Sequence, residues 1–363
     1  MADDRPRPAD PKAGAENLLV NCVGLRAGDN LLVVREPPGL GLYDEAAAGI
    51  VTAAAGRLGA RASAAIVPLV SGPEDMPADL IAAMTEADHT IFFHRLGDQT
   101  RFQDTPGPGT KTMCYALSRD FLGADFCTLP HGLLAKLKQA IEADLGRARR
   151  WRITCPLGTD IGGDFDPDRA QGGADFTLKL FPITTFKPVS CRRASGQVVL
   201  SKWLIGTGSR DYDPYELRFS GLVRARVQAG RLAGFDGPAE DVRRIRAHYD
   251  FVAGEFGIEP DIVHSWHAGI NPRTFFPGPA EGALRQWGTI SFASPRYLHF
   301  HTCGAYAPGE ITWSVFDPTV WIDDQIYWQQ DRFRYLERPE TRALIGAGDL
   351  APDALRVRTD IGF

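Results

Sequence analysis

Over the first 150 residues, apolar runs and polar punctuation alternate with two different periods. "GLRAGDNLLVVREPP" reads as a turn at Ala27-Gly28-Asp29 feeding a buried strand that stops at Pro37-Pro38. "YDEAAAGIVTAAAGRLGA" follows as an alanine-rich helix, then come the strand-like "ARASAAIVPLV", the helix "MPADLIAAMTEA" and the strand "DHTIFFHRL". A further helix, "GLLAKLKQAIEADLG", closes the region before Arg149-Arg150. Strands that alternate with helices in this way predict an open parallel sheet with helices on its faces, a Rossmann-like α/β domain.

From Trp151 the rhythm changes to short apolar runs broken by Gly and Pro, such as "WRITCPLGTD", "GQVVLSKWLIG" and "LRFSGLVRARVQAGRLAGFDG". These predict strands and hairpins of antiparallel sheet, interrupted by one helix from Pro238 to Gly254. The expected organisation is therefore a polar, proline-rich, disordered leader over residues 1–16, an α/β N-terminal domain over 17–149, and a β-rich α+β C-terminal domain over 150–363 that carries the cleft.

Composition narrows the partners. A length of 363 residues exceeds what one core usually supports, which agrees with two domains. A net charge of −5, with no block of like charges, argues against nucleic acid. No apolar run approaches a membrane span, and the leader lacks the apolar core of a signal peptide, so no membrane partner and a cytoplasmic location are expected. Six cysteines without a C-x-x-C pair read as free thiols.

Familiar chemical motifs are missing. Gly39-Leu40-Gly41 lacks the third glycine of a dinucleotide loop, and the next strand carries no acidic residue for a ribose. There is no P-loop, no G-x-S-x-G and no H-E-x-x-H. The unusual stretch is "VHSWHAGINP" at 263–272 with "HFHTC" at 299–303, which together hold four of the eight histidines. His299 and His301, two apart, share a face if the segment is a strand, and His264 and His267, three apart, share a face if theirs is a helix. Either pair suits a metal with Asp317, Asp323 or Asp324 as carboxylate, although a histidine taken singly is more often a hydrogen-bonded, partly buried residue than a ligand. Trp266, Trp287, Trp313, Trp321 and Trp328 gather in the same region. They read either as a large-residue core or, for Trp266, Trp287, Trp313 and Trp321, as the lining of a binding cleft.

At this point the chain resembles the thermophilic aminopeptidase (M29) superfamily, which also contains the 2,5-dihydroxypyridine 5,6-dioxygenases. The resemblance lies in "VGLRAGDNLLVV", in the Gly-Thr-Asp turn of "LGTDIGGDF", in the hairpin "VRARVQAGRLAGFDG", and in "HSWHAGINP", which matches a segment that carries a first metal ligand. It spans about residues 17 to 330. It implies an M29-type C-terminal domain and a metal completed by a His-x-Asp pair.

"TVWIDDQI" stands at that pair, with Asp323 at the aspartate and Trp321 at the histidine, and indole cannot ligate a metal. A glutamate implied before "GTISFAS" is likewise absent. The resemblance therefore implies a degraded metal site whose remnant is His264, with His267 as the register alternative, and Asp323. No cofactor is expected, and Fe(II) or Zn(II) is the alternative if His299 or His301 replaces the lost ligand. By analogy with crocagin-type pathways, the expected function is binding of a ribosomal precursor peptide matured to a pyrroloindoline, by presentation or by cyclisation. His264, His267, His299, His301 and Asp323 are the candidate proton-transfer groups. The competing expectation is a ring-cleaving iron dioxygenase or an aminopeptidase. A homodimer is expected in either case.

Overall fold

The structure is a computed structural model that describes residues 9–165, 176–305, 309–347, 350 and 353–363. Its first four strands are Asn30–Arg35 (β1), Arg61–Ile66 (β2), His89–Phe93 (β3) and Thr110–Cys114 (β4). After Arg150–Thr154 (β5) and Asp160–Asp164 (β6), the chain returns as Lys179–Phe181 (β7) to complete a five-stranded sheet of order β2-β1-β3-β4-β7, parallel throughout. β1 and β3 are buried along nearly their whole length, as strands covered on both faces must be. Between β1 and β2 runs the helix Glu45–Arg57, started by the Asp44 side chain accepting from the Ala47 N–H.

The chain divides into two units, Met1–Lys136 with Phe176–Thr184, and Leu137–Asp175 with Thr185–Phe363. The division differs from the expected boundary at 150 because β7 pairs with β4 and carries a later segment back into the first unit. The expected leader differs as well. Residues 1–8 lie outside the described residues, but Pro11–Glu16 form a helix rather than a disordered stretch. Asp10 caps this helix, and Gly14 packs so closely on the Leu122 backbone that a Cβ there would collide with its carbonyl.

The second unit is built on two antiparallel sheets, as its Gly- and Pro-broken runs predict. Its strands continue as Val189–Ser190 (β8), Ala194–Leu200 (β9), Trp203–Gly206 (β10), Glu216–Arg218 (β11), Val223–Gln228 (β12) and Arg231–Asp236 (β13). Then come Val263–Ala268 (β14), Tyr297–Thr302 (β15), Ile311–Phe316 (β16), Thr319–Ile322 (β17) and Gln325–Gln329 (β18). One sheet has the order β11-β10-β16-β15-β14-β8, the other β13-β12-β9-β6-β5-β17-β18. The helix expected at 238–254 runs from Ala239 to Phe256 and stops at Gly257, whose φ of 61° favours glycine. It buries Ile245, His248, Tyr249 and Val252, a spacing that puts one face inward.

That face meets the six-stranded sheet. The Trp313 indole donates to the Tyr249 hydroxyl over 2.6 Å, and the same hydroxyl lies 2.5 Å from the Thr302 hydroxyl. Trp266, Phe300 and Trp313 stand on this side of β14, β15 and β16, in register with one another. All three are completely buried.

Candidate metal centre

The opposite side of the same three strands carries a different set of residues. β14 and β15 are paired so that His267 lies across from His299 and Ser265 across from His301. Because side chains alternate along a strand, His299 and His301 project together with His267, while Phe300 and Trp266 project to the helix side. The expected shared helical face of His264 and His267 is therefore corrected. The segment is a strand, and His264 sits where the register slips between Val263 and Ser265.

The three imidazoles form one cluster. Ring centroids lie 5.2 Å apart for His267 and His299, 5.0 Å for His267 and His301, and 4.8 Å for His299 and His301. One nitrogen from each falls within 4.8 Å of the others, and all three residues are buried. Nδ1 of His267 lies 2.8 Å from the Phe186 carbonyl. A carbonyl only accepts, so Nδ1 carries the proton and the lone pair of that ring is on Nε2. A hydrogen bond of this kind is the usual outer support of a metal-ligating histidine. His299 is stacked on Tyr297 at 5.7 Å and met edge-on by Phe292 at 5.9 Å, which fixes its plane.

These residues fit a divalent transition metal. Three neutral imidazoles are a donor set used for zinc and iron, and three protein ligands leave room for water or substrate at a catalytic site. Nitrogens about 2.0–2.1 Å from a tetrahedral ion stand about 3.4 Å apart, so a bound ion would draw these rings inward. Among the described residues, no other group of three or more His, Cys, Asp or Glu is arranged to hold an ion.

Three-dimensional comparison now adds to this geometry. The chain shares its fold with 2,5-dihydroxypyridine dioxygenase. The structure of that protein from Pseudomonas putida KT2440 superposes with a TM-score of 0.60 at 15% identity, over 92% of this chain and 100% of the other. Wild-type AmpT from Thermus thermophilus superposes with a TM-score of 0.51 at 11% identity, over 89% and 98%. No family model matches the chain, and no curated protein does. The architecture is thus the M29 aminopeptidase and dihydroxypyridine dioxygenase fold implied by the sequence resemblance.

The remaining candidates lie elsewhere. His264 and Asp323, expected as the remnant ligand pair, occupy different sheets. His264 is bonded to the Ser265 hydroxyl, and burial pushes its pKa down to about 4. Asp323 sits in the β17–β18 turn with a φ of 50°, where one carboxylate oxygen accepts from the Arg149 and Arg150 N–H groups. Asp317 is held in two hydrogen bonds by Arg296, and Asp324 is paired with Arg150.

Of the tryptophans expected to line a cleft, Trp266, Trp287 and Trp313 are core. Each is 0% exposed, and the Trp287 indole donates to the Ile361 carbonyl as Trp313 does to Tyr249. Trp321 alone of the four reaches the surface, under the Arg152 guanidinium at 5.6 Å. Sequence reasoning named each histidine of the cluster but not the grouping. The signal available was the strand period of "SWHA" beside "HFHT".

Proposed function

We propose that the protein is a mononuclear metalloenzyme whose ion is held by His267, His299 and His301, and that Fe(II)-dependent oxygenation of a small aromatic compound is its reaction. The observation that carries this reading is the buried cluster of three imidazoles with the His267 tautomer set by Phe186. A two-metal hydrolase needs carboxylates to bridge its ions, and the cluster contains none. The better superposition on the dioxygenase structure points the same way.

When bound, iron supplies Lewis acidity and one-electron chemistry with dioxygen. The chain's own residues set the stage for it. Phe186, Phe292 and Tyr297 pack against the imidazoles and keep water from their edges. Ser265 and Thr312 stand on the same side of the sheet, across from His301, with their hydroxyls bonded to His264 and to the Gly206 carbonyl.

The test is oxygen consumption by Fe(II)-loaded protein offered 2,5-dihydroxypyridine and a panel of dihydroxylated benzenes and pyridines. Uptake that needs iron, the aromatic compound and an intact His299 supports the reading. No uptake across the panel removes the oxygenase assignment while leaving the metal centre to be tested separately.

A second reading is the metal-free binding of a precursor peptide. It is favoured by Trp321, which stands half-buried at the surface where the resemblance implies a ligand, and by the use of Asp323 as a turn cap. We carry the homodimer as part of both readings, and light scattering of the purified protein decides it.

A further inference from the structure

The outward side of the seven-stranded sheet holds an open cavity of about 740 Å³, within the range of small-ligand sites and away from the strands that bear the imidazoles. Its floor is explained by register. Ser195, Gly162, Arg152 and Trp321 lie side by side across β9, β6, β5 and β17. At Gly162 the row has no side chain, and a Cβ there would press on the Trp151 carbonyl, so the gap is kept open by the backbone itself. The result is a trough with Trp321 and Arg152 as one wall.

Two observations point to what the trough takes. Six of the seven tryptophans are at most 2% exposed, whereas Trp321 presents its ring at the cavity. Trp and Arg are among the residue types enriched where binding energy concentrates. The second observation is charge. Arg150, Arg152 and Arg193 share the lining with four aspartates, of which Asp160 is held in two hydrogen bonds by Arg152 and Asp324 is paired with Arg150. Asp164, across from Arg150, is exposed. A polyanion meets the carboxylates and a polycation meets the arginines, so neither is favoured. A chain that carries both signs around an aromatic group is complementary to all of it.

We propose that this trough binds a short peptide stretch in which an aromatic side chain, laid against Trp321, is flanked by a basic and an acidic residue. The proposal rests on the peptide-binding part of the second reading and gives it a location whose lining includes none of the three imidazoles, so it stands whether or not they hold an ion. It is tested with a random pool of end-capped pentapeptides passed over the immobilised full chain, with retained sequences read by mass spectrometry. The expected result is enrichment of aromatic residues flanked by both charges, falling about tenfold in W321A. Asp164→Lys, on an exposed position, should shift the retained sequences away from basic residues even if the tryptophan variant folds poorly. No enrichment by the native chain overturns the proposal together with the peptide-binding reading. Enrichment unchanged in both variants overturns the trough alone, because the peptide then binds elsewhere.

Discussion

The two sides of β14, β15 and β16 are made of alternate residues of the same strands, yet they follow opposite rules. On the helix side, Trp266, Phe300 and Trp313 are buried core, Trp313 meeting Tyr249 of Ala239–Phe256 and Trp266 meeting Trp151 of β5, and the polar atoms of Thr302, Tyr249 and Trp313 satisfy one another. On the other side, Ser265, His267, His299, His301, Thr312 and Ser314 are equally buried. Burial alone therefore does not separate core from site. Apolar side chains gain free energy when removed from water, whereas imidazoles and hydroxyls lose hydration that only specific partners restore. Three adjacent histidines are a poor way to build a core and a good way to hold an ion.

Substitutions on the two sides should separate stability from metal binding. Trp313→Ala on the helix side is expected to destabilise by about 3–5 kcal/mol in denaturant unfolding, with the metal content of the folded fraction unchanged. Equal loss of metal would show that the two sides are not independent. On the other side, His299→Ala should raise the dissociation constant for Zn(II) more than about 100-fold in chelator competition, since even outer-sphere partners of a ligand are worth about 10–100-fold.

A smaller effect belongs to the helix side again. Tyr249→Phe removes the hydroxyl shared by Thr302 and Trp313, and a loss of about 1–3 kcal/mol is expected in the same unfolding assay.

A pH dependence lies outside the comparison and calibrates it. Burial pushes both His131 and His248 down to about 4, with Lys179 adding to the effect on His131. Unfolded histidine titrates near 6.5, so between about pH 6.5 and 4 the unfolded chain binds more protons than the folded one. Stability should fall as pH drops through that window and level off below it. In His131→Asn/His248→Asn, melting temperatures should vary less steeply over the same range, and an unchanged slope would assign the pH dependence to other groups.

The parallel sheet was legible because its strands are continuous apolar runs such as "NLLVV", separated by helices with their own period. The antiparallel unit was legible in outline, but the partner of each strand was not. "HFHT" shows that His299 and His301 share a face, whereas only the β14–β15 register shows that His267 joins them. Local sequence does not state which distant strand will pair, and that long-range choice decided the site. The place of Asp323 was hidden for a related reason. An aspartate in a tight turn and an aspartate on a metal look alike in sequence, and the two amides of Arg149 and Arg150 that occupy this one lie more than 170 residues away in the chain. The tryptophans show the same limit, since a cluster of five in sequence became four core residues and one half-buried surface ring.

The central claim concerns the ion, so the most direct measurement is metal content by plasma mass spectrometry. Untagged protein would be purified without oxygen and supplied with Fe(II) or Zn(II), alongside His299→Ala and His301→Ala. The account predicts one ion per chain in the native protein and loss of that ion in both variants. A native protein that retains no more metal than the variants would contradict it.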